Sequence, residues 1–354
     1  MTPGALTDSH GRVMRDLRVS ITDRCNFRCL YCLPETEEAA NFYQTRFHPP
    51  SATASIPIQY GWKSRSEILT YEEILRVVRV AAGLGIEKVR ITGGEPLLRR
   101  GVDTLVAGLN SIPGIRDLAM TTNGFRFAGV AQALRGAGLH RVSFSLDSLD
   151  RDNFRRMTGR DGLKEVLDGI RLAQDLGFSP VKVNAVVIRG LNDQELESLA
   201  GFARERQLSF RFIEFMPLDS SRAWQRDLVV SGREILERLR QRFDLVPVEA
   251  RANPSETAKR WAFADGRGEI GIIAPVTEPF CGHCNRLRLT ADGKIRTCLF
   301  SLGEHDLRPM LRGAASDADL ASTLVEIVRH KEAGHRIGQP DFVQPARTMS
   351  CIGG

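Results

Sequence analysis

Short β-rich runs alternate with amphipathic helical stretches between Leu17 and Pro217 of this chain. The β-rich runs read, in order, LRVSIT, KVRITG, DLAMTT, RVSFSLD, VKVNAVVI and LSFRFIEFMP. Helical segments such as 161–177 and 192–207 lie between the later runs. This order predicts parallel strands joined by crossover helices. Six such units fit either a doubly wound sheet or a (β/α) barrel that stops short of eight strands.

Polar side chains follow one face of several of these runs. Arg18, Ser20 and Thr22 share a face of the first run, because side chains alternate along a strand. The same face of later runs carries Lys88, Arg90 and Thr92, then Ser143, Ser145 and Asp147, and then Lys182 and Asn184. Lysine and arginine are seldom buried without an anionic partner. We therefore predict an α/β fold whose sheet faces a ligand-filled interior; the alternative is a barrel lumen filled by internal hydrogen bonds.

The pattern changes after Pro217. A helix-like stretch at 231–243 precedes two hairpin-like segments, WAFADGRGEIGII and CNRLRLTADGKIRTCLF, each with an Asp-Gly turn. A helical region at 307–329 and an irregular tail follow. We expect an N-terminal segment (1–16), a partial barrel (17–217) and a smaller C-terminal region (218–354) with a flexible tail. Residues 35–66, which include Pro49-Pro50 and Pro57, predict a long loop insertion to which we assign no function.

Charge and cysteine content limit the class of protein. The formal net charge of +6 is compatible with an anionic ligand and is too small for a protein that coats nucleic acid. No stretch approaches the roughly 20 apolar residues that span a bilayer, and the N-terminus lacks a signal-peptide pattern. Six of the seven cysteines form two tight groups, which favours metal chemistry in a reducing compartment over disulfides. We expect a cytoplasmic protein without a membrane or nucleic-acid partner.

The first cysteine group is Cys25, Cys29 and Cys32, directly after the first predicted strand. Active sites of parallel barrels lie at that end of the strands. Thiolates at this spacing bind either one zinc ion or an iron–sulfur cluster. A structural zinc site needs a fourth ligand, and the next candidate is His48 in the irregular loop. Three cysteines on a four-iron cluster leave one iron open for a small molecule.

The second cysteine group is Cys281, Cys284 and Cys298. A zinc site that uses His283 as its fourth ligand is an alternative, although a histidine between two close cysteines tends to point away from the metal. Three cysteines again favour an open cluster, here one that binds a substrate.

Two arginines follow this group on one face of a predicted strand, Arg286 and Arg288. Paired guanidinium groups suit phosphate oxygens, and the alternative is a solvated hairpin face. Together with the basic residues on the inward faces of the earlier strands, they predict a positive cavity whose charge suits a nucleoside triphosphate. Those earlier residues are Arg18, Lys88, Arg90 and Lys182.

These motifs resemble those of a known superfamily. The Cys25-x-x-x-Cys29-x-x-Cys32 spacing, with Tyr31 before the last cysteine and ITGGEP at 91–96, is similar to the signature of the radical S-adenosylmethionine (SAM) enzymes. Further segments resemble one family within it, the GTP 3′,8-cyclases of molybdenum cofactor biosynthesis. These segments include MTTNG, VSFSLDSL, VKVNAVVIRGLND, FRFIEFMP, CGHCNRLRLTADGKIRTCL and the terminal Gly353-Gly354.

The resemblance implies a fold, cofactors and site residues. The fold is an incomplete (β/α)6 barrel of the radical SAM type, with a C-terminal region that carries a second iron–sulfur cluster. The cofactors are SAM and two [4Fe–4S] clusters, held by Cys25, Cys29 and Cys32 and by Cys281, Cys284 and Cys298. The residues implied to contact SAM are Tyr31, Gly94, Ser145 and Met216. Those implied to bind GTP are Arg18, Arg90, Thr121, Lys182, Arg286 and Arg288, with Lys88 as an addition.

The resemblance also implies a reaction and partners. The lyase reaction converts GTP to (8S)-3′,8-cyclo-7,8-dihydroguanosine 5′-triphosphate through a 5′-deoxyadenosyl radical that removes the C3′ hydrogen. The partners are an electron donor such as a flavodoxin or ferredoxin, the next pathway enzyme (cyclic pyranopterin monophosphate synthase) and a second copy in a homodimer. The family's terminal double glycine enters the active site.

Two residues stay unassigned and two alternatives stay open. Arg211 sits at a family phosphate-binding position, but its strand parity is opposite to that of Met216. Cys351 is interpreted as a free thiol. The alternatives are a different radical SAM enzyme, such as a peptide-modifying one, and a basic zinc protein that binds nucleic acid.

Overall fold

A computed structural model describes residues 5–34, 36, 61–219, 224–249 and 255–353. The predicted insertion at 35–66 lies outside the described residues except for Thr36 and residues 61–66, and so does Gly354 at the end of the tail.

The described residues form one mixed sheet of twelve strands. The strands are β1 (Asp16–Ser20), β2 (Lys88–Thr92), β3 (Asp117–Thr122), β4 (Arg141–Ser145), β5 (Lys182–Val187), β6 (Ser209–Glu214), β7 (Leu245–Pro247), β8 (Lys259–Phe263), β9 (Glu269–Ile273), β10 (Arg286–Leu289), β11 (Lys294–Arg296) and β12 (His305–Asp306). Their order across the sheet is β12-β11-β10-β1-β2-β3-β4-β5-β6-β9-β8-β7. Over the described strands, the sheet is not closed.

The six predicted β-rich runs are β1 to β6, and neighbouring strands among them pair in parallel. Chain from beyond Pro217 extends both edges: β10 pairs in parallel with β1, and β9 pairs in parallel with β6. Both predicted Asp-Gly hairpins are present, as β8–β9 and β10–β11. The α/β partial barrel is therefore confirmed, and the C-terminal chain forms part of the same sheet.

Ten α-helices accompany the described strands. They are α1 (Tyr71–Gly83), α2 (Val102–Asn110), α3 (Ala131–Gly136), α4 (Arg151–Thr158), α5 (Leu163–Asp175), α6 (Leu196–Glu205), α7 (Gly232–Arg242), α8 (Arg308–Arg312), α9 (Asp317–Arg329) and α10 (Met349–Ile352). The helical region predicted at 307–329 is divided into α8 and α9. Gly313 and a capping box at Ser316 and Asp319 separate the two, because the Ser316 side chain supplies a start for a new helix.

Each face of the sheet has a different character. Strand β5 shows this: Val183, Ala185 and Val187 are fully buried, whereas the alternate residues Lys182 and Asn184 are half-buried. Apolar faces of helices such as α1 and α5 pack in the same core as these valines. The alternation that the sequence predicted thus separates a helix-covered core from a polar lumen.

Candidate active site

The first cysteine group lies in the loop that follows β1, beside α4. Backbone hydrogen bonds fix this loop: the Arg28 N–H donates to the Thr158 carbonyl (2.7 Å) and the Leu30 N–H donates to the Met157 carbonyl (2.9 Å). The Phe27 N–H lies 3.4 Å from the Cys25 sulfur. Burial raises the pKa of the Cys25 thiol to about 11 and that of Cys32 to about 12. The pKa of Cys29 is raised for the same reason, so all three thiols stay protonated in the free chain and iron would have to displace their protons on binding.

Gly94 packs against this loop from the end of β2. Its N–H donates to the Thr22 carbonyl (2.7 Å), and an added Cβ would lie 2.3 Å from the Arg24 carbonyl oxygen. A glycine pair after a strand is typical of a backbone that a ligand approaches closely. The structure shows that the backbone of the cysteine loop itself requires glycine at this position.

The second cysteine group surrounds the start of β10. Cys281 and Cys284 precede that strand, and Cys298 follows β11. Burial raises the pKa of the Cys284 thiol, but the charges of Arg286 and Lys331 outweigh burial and lower it to about 7. Cys284 therefore ionises readily, as a metal ligand must. His283, the zinc ligand of the alternative interpretation, is exposed.

In the parts of the chain that the structure describes, no three His, Cys, Asp or Glu side chains converge on the position of a single metal ion.

The two cysteine groups lie at opposite ends of one pair of strands. Strands β1 and β10 are parallel, with Asp16 beside Arg286 and Arg18 beside Arg288. Cys25 comes after β1, whereas Cys284 comes before β10. With about 3.3 Å per residue, the strands separate the groups by a distance on the order of 15 Å. A substrate between them must be long.

Basic side chains line the strands between these two ends. The register places Arg288, Arg18 and Arg90 on neighbouring strands in one row. The Nε atom of Arg18 is buried without a hydrogen-bond partner, and Arg90 donates to the hydroxyls of Thr121 (3.3 Å) and Ser143 (3.1 Å). Burial together with neighbouring cations lowers the pKa of Arg18 to about 10. A lumen with several uncompensated cations is a binding site for an anion.

Lys182 faces the same lumen from β5. Burial, followed by the charges of Arg211, Arg141, Arg90 and Lys88, lowers its pKa to about 6. Among the residues that the structure describes, it has no hydrogen-bond or ion-pair partner. An anionic ligand would supply the missing partner.

Two further basic residues differ from this pattern. Lys88 forms an ion pair with Asp16 (2.9 Å), so its charge already has a partner. Arg211 pairs with Asn184 across β5 and β6 and therefore belongs to the Lys182 face. Its parity relative to Met216 carries no conflict, because β6 ends at Glu214 and Met216 lies in the following loop. Arg211 also forms an ion pair with Glu256 (3.6 Å).

The predicted SAM contacts lie near the ends of several strands. The Tyr31 hydroxyl donates to Asp147 (2.6 Å), just after β4, while Ser145 is the last residue of that strand. Asp147 also accepts from the Val186 N–H (2.8 Å), and burial raises its carboxyl pKa to about 6. Met216 is half-buried beside an apolar cluster that includes Leu218 and Ile352.

The tail reaches the mouth of the lumen. Arg288 donates to the Gly353 carbonyl, and Gly353 lies against Thr92 and Ser20. The tail also approaches the first cysteine group, because Ser350 hydrogen-bonds to Cys32 and the Cys351 thiol adds to the raised pKa of Cys32. Gly353 therefore lies beside the last residues of β1 and β2, at the end of the strands where the first cysteine group lies.

The structure adds site residues that sequence reasoning missed. Arg347 forms a bidentate ion pair with Asp292 at the turn of the β10–β11 hairpin (2.8 and 2.7 Å). Lys331, only 3% exposed, donates to the carbonyls of Arg286 (3.1 Å) and Thr297. Neither Arg347 nor Lys331 lies in a periodic sequence pattern. The one available signal was the predicted Asp-Gly turn, which contains Asp292, the partner of Arg347.

Comparison with known proteins agrees with this geometry. Residues 19–203 match the family model described as the Radical SAM superfamily, and residues 208–337 match the model described as Molybdenum Cofactor Synthesis C. The GTP 3′,8-cyclase of Streptomyces coelicolor is 43% identical over 350 residues, which are 99% of this chain and 96% of that protein. The GTP 3′,8-cyclase of Rhodopirellula baltica is 45% identical over 359 residues, which are 99% of this chain and 93% of that protein.

A solved structure shares the fold at low identity. Streptococcus suis SuiB bound to S-adenosylmethionine superposes with a TM-score of 0.58 at 13% identity, over 89% of this chain and 69% of that one. None of the helices within the described residues is both long and apolar enough to span a membrane.

Proposed function

The chain belongs to the radical SAM superfamily and, within it, to the GTP 3′,8-cyclases of molybdenum cofactor biosynthesis, and from this premise we propose how its residues join C3′ of GTP to C8. The observation that carries the proposal is the position of two three-cysteine groups at opposite ends of β1 and β10. Between them lies a lumen with unpaired cations. GTP is long enough to span that distance, and its negative charge would balance these cations.

We assign the first cysteine group to the cluster that binds SAM. When bound, SAM and this cluster supply the carbon-centred radical that removes the C3′ hydrogen. The chain must then keep SAM and the ribose in register and exclude other reactants. Tyr31, Gly94, Ser145 and Met216 are the proposed SAM contacts. Tyr31 is held through its hydrogen bond to the Asp147 carboxylate, and Gly94 shapes the cysteine loop by close contact with Arg24.

The triphosphate is assigned to the basic lumen. Arg18, Arg90, Lys182 and Arg288 are the proposed phosphate ligands, with Arg286 and the Thr121 hydroxyl beside them. We rank Lys88 lower because Asp16 already neutralises it. Arg211 is a candidate because it shares the face of Lys182. Guanidinium groups fixed on neighbouring strands would orient GTP so that the ribose faces the SAM end.

We propose a second [4Fe–4S] cluster on Cys281, Cys284 and Cys298, whose open iron takes the guanine base. The lowered pKa of Cys284 supports a thiolate at this end. Anchoring guanine there and the phosphates along the lumen would fix C8 next to C3′, and that proximity is what ring closure requires.

Partners and compartment follow from the same chemistry. The first cluster needs a one-electron donor such as a flavodoxin or ferredoxin, and the product would pass to cyclic pyranopterin monophosphate synthase. We propose a cytoplasmic location, because free thiols persist in a reducing compartment and all seven cysteines are free, and a homodimer, because the family resemblance implies one.

Anaerobic purification tests the proposal. We expect about eight irons and eight sulfides per chain, and 5′-deoxyadenosine formation that depends on GTP in the presence of SAM and a strong reductant. Zinc without iron would exclude both clusters. Turnover with a peptide and none with GTP would instead favour the peptide-modifying alternative.

Arg288→Ala tests the phosphate assignment. Loss of a charge-assisted hydrogen bond should weaken GTP binding about 10- to 100-fold while the iron content stays at the wild-type level. Arg233→Ala is the matched control, since Arg233 is exposed and pairs with the exposed Glu237. Equal GTP affinity of the two variants would count against the assignment.

A further inference from the structure

We infer that Arg12 is a positioning residue for the second cluster: it clamps the Cys281 loop onto the segment that follows α9. The inference rests on the proposed second cluster. The residue lies in the N-terminal segment 1–16, for which the sequence predicts no role.

Arg12 is buried, and each of its three guanidinium nitrogens donates at least one hydrogen bond. Its Nε pairs with Asp8 (2.6 Å), and its side chain is 6% exposed. Its Nη1 donates to the carbonyls of Cys281 (2.8 Å) and Ala333 (2.8 Å), and its Nη2 donates to the carbonyl of Glu332 (2.5 Å). One side chain therefore joins three separate segments of the chain.

The clamp itself is rigid. Asp8 and Arg12 belong to a short hairpin in which the Asp8 N–H donates to the Arg12 carbonyl (3.1 Å) and Thr7 bridges Val13. Leu6 and Met14 anchor both ends in the main core, where they are 1% and 0% exposed. The guanidinium is thus presented from a fixed base.

The segment on the other side contacts the rest of the cysteine group. Gly334 lies so close to Cys281 that an added Cβ would be 2.9 Å from the cysteine Cβ. Glu332 accepts hydrogen bonds from Thr297 (2.6 Å) and Ser301 (2.5 Å), on either side of Cys298. Lys331 bonds the carbonyls of Arg286 and Thr297. Residues 331–334 consequently touch the chain next to all three cysteines, and Arg12 connects them to Cys281.

A positioning role follows from this arrangement. Cys281 lies in a short helical turn (Cys281–His283) outside the sheet, so no strand pairing fixes it. Cys284 and Cys298 flank β10 and β11 and are fixed by that hairpin. Without Arg12 the Cys281 carbonyl loses its cationic donor, and the thiol is free to move away from the other two.

The test compares Arg12→Ala and Arg12→Lys with wild-type enzyme after anaerobic reconstitution. Iron and sulfide per chain are measured, together with the electron paramagnetic resonance (EPR) spectrum of the reduced protein with SAM and with GTP. We expect Arg12→Ala to keep about half of the iron, to retain the spectral change caused by SAM and to lose the change caused by GTP. Lysine keeps the charge but has all its donors on one nitrogen and cannot reproduce the fixed fork of the guanidinium, so Arg12→Lys should retain an intermediate amount of iron.

Two controls accompany these variants. Arg15→Ala removes a cation three positions along the same segment, where Arg15 is 54% exposed and pairs with Glu87, and it should retain both clusters. Cys281→Ser should lose the same half of the iron as Arg12→Ala, and the double variant should lose no more than either single one.

Three results would overturn the inference. Full iron content in both Arg12 variants would show that the clamp is dispensable, and equal loss from both clusters would show a general folding role. If Arg12→Ala does not fold, Arg12→Lys decides by the same criteria. A wild-type chain with only one cluster would refute the proposed second cluster itself, and is seen before any variant is made.

Discussion

The charge of Lys182 depends on whether an anionic ligand is bound. In the free protein its pKa is about 6, because it is buried and Arg211 and other cations surround it. Near neutral pH it is therefore mostly uncharged. A bound triphosphate would favour the ammonium form and raise the pKa again, so binding should take up a proton, and GTP affinity should fall as pH rises above about 6.

Calorimetry of GTP binding at pH 7, in buffers of different ionisation enthalpy, checks this linkage. We expect wild-type enzyme to take up close to one proton more per GTP than Lys182→Met, and we expect the variant to bind more weakly. The Lys164→Met control removes an exposed lysine that pairs with Asp168, and it should match wild type. Equal proton uptake by wild type and Lys182→Met would contradict an uncharged Lys182 in the free protein.

At the scale of elements, the β2 end and the first cysteine loop are fixed together through Gly94. Gly94→Ala places a Cβ 2.3 Å from the Arg24 carbonyl oxygen, so the loop must shift. We expect the free energy of unfolding to fall by about 1–3 kcal/mol and the first cluster to be lost while the second one stays. Gly136→Ala in α3 meets nothing within 4 Å, and it should keep both clusters and a free energy of unfolding no lower than that of wild type, because alanine favours the helix. Denaturant unfolding and iron analysis measure the two effects; intact iron in Gly94→Ala would contradict the prediction.

The tail is a second element, and Arg347 is one of the residues that hold it. Arg347 holds it to the hairpin turn at Asp292 and also pairs with Glu304 (2.9 Å). Arg347→Ala should accelerate amide hydrogen exchange in residues 348–353 at least about tenfold, since local opening loses a partly buried ion pair. Arg336→Ala, whose partner Asp341 is exposed, is the control. Unchanged exchange in Arg347→Ala would show that Gly353 and Ile352 suffice to hold the tail.

At the scale of the whole molecule, chain from beyond Pro217 covers both edges of the six-stranded parallel sheet. The β6 edge also depends on Glu214, which is fully buried and accepts from the N–H groups of Gly232 (2.8 Å) and Val276 (2.8 Å). A fragment of residues 1–217 would expose β1 and β6 as open edges and leave Glu214 without these donors.

We therefore expect the 1–217 fragment to aggregate, and a chain that ends at Gly338, which keeps all twelve strands, to remain folded. Size-exclusion chromatography and circular dichroism distinguish the two outcomes. A soluble, cooperatively folding 1–217 fragment would show that the edge strands are not needed for stability.

Local pattern determined much of this protein. Two-residue alternation identified β1 to β6 and the inward face that carries Arg18, Arg90 and Lys182, because side-chain direction in a strand follows directly from position. Asp-Gly turns located both hairpins, and cysteine spacing located both candidate cluster sites. Each of these signals is contained within a few neighbouring residues.

Only the tertiary structure decided how distant segments complete one another. No local sequence period marks three of these relations. Strands β9 and β10 extend opposite edges of one sheet, Arg12 reaches Cys281 across 269 positions, and Arg347 pairs with Asp292. The physical reason is that a single buried guanidinium needs acceptors at particular points in space, and the folded backbone alone determines which carbonyls and carboxylates lie there.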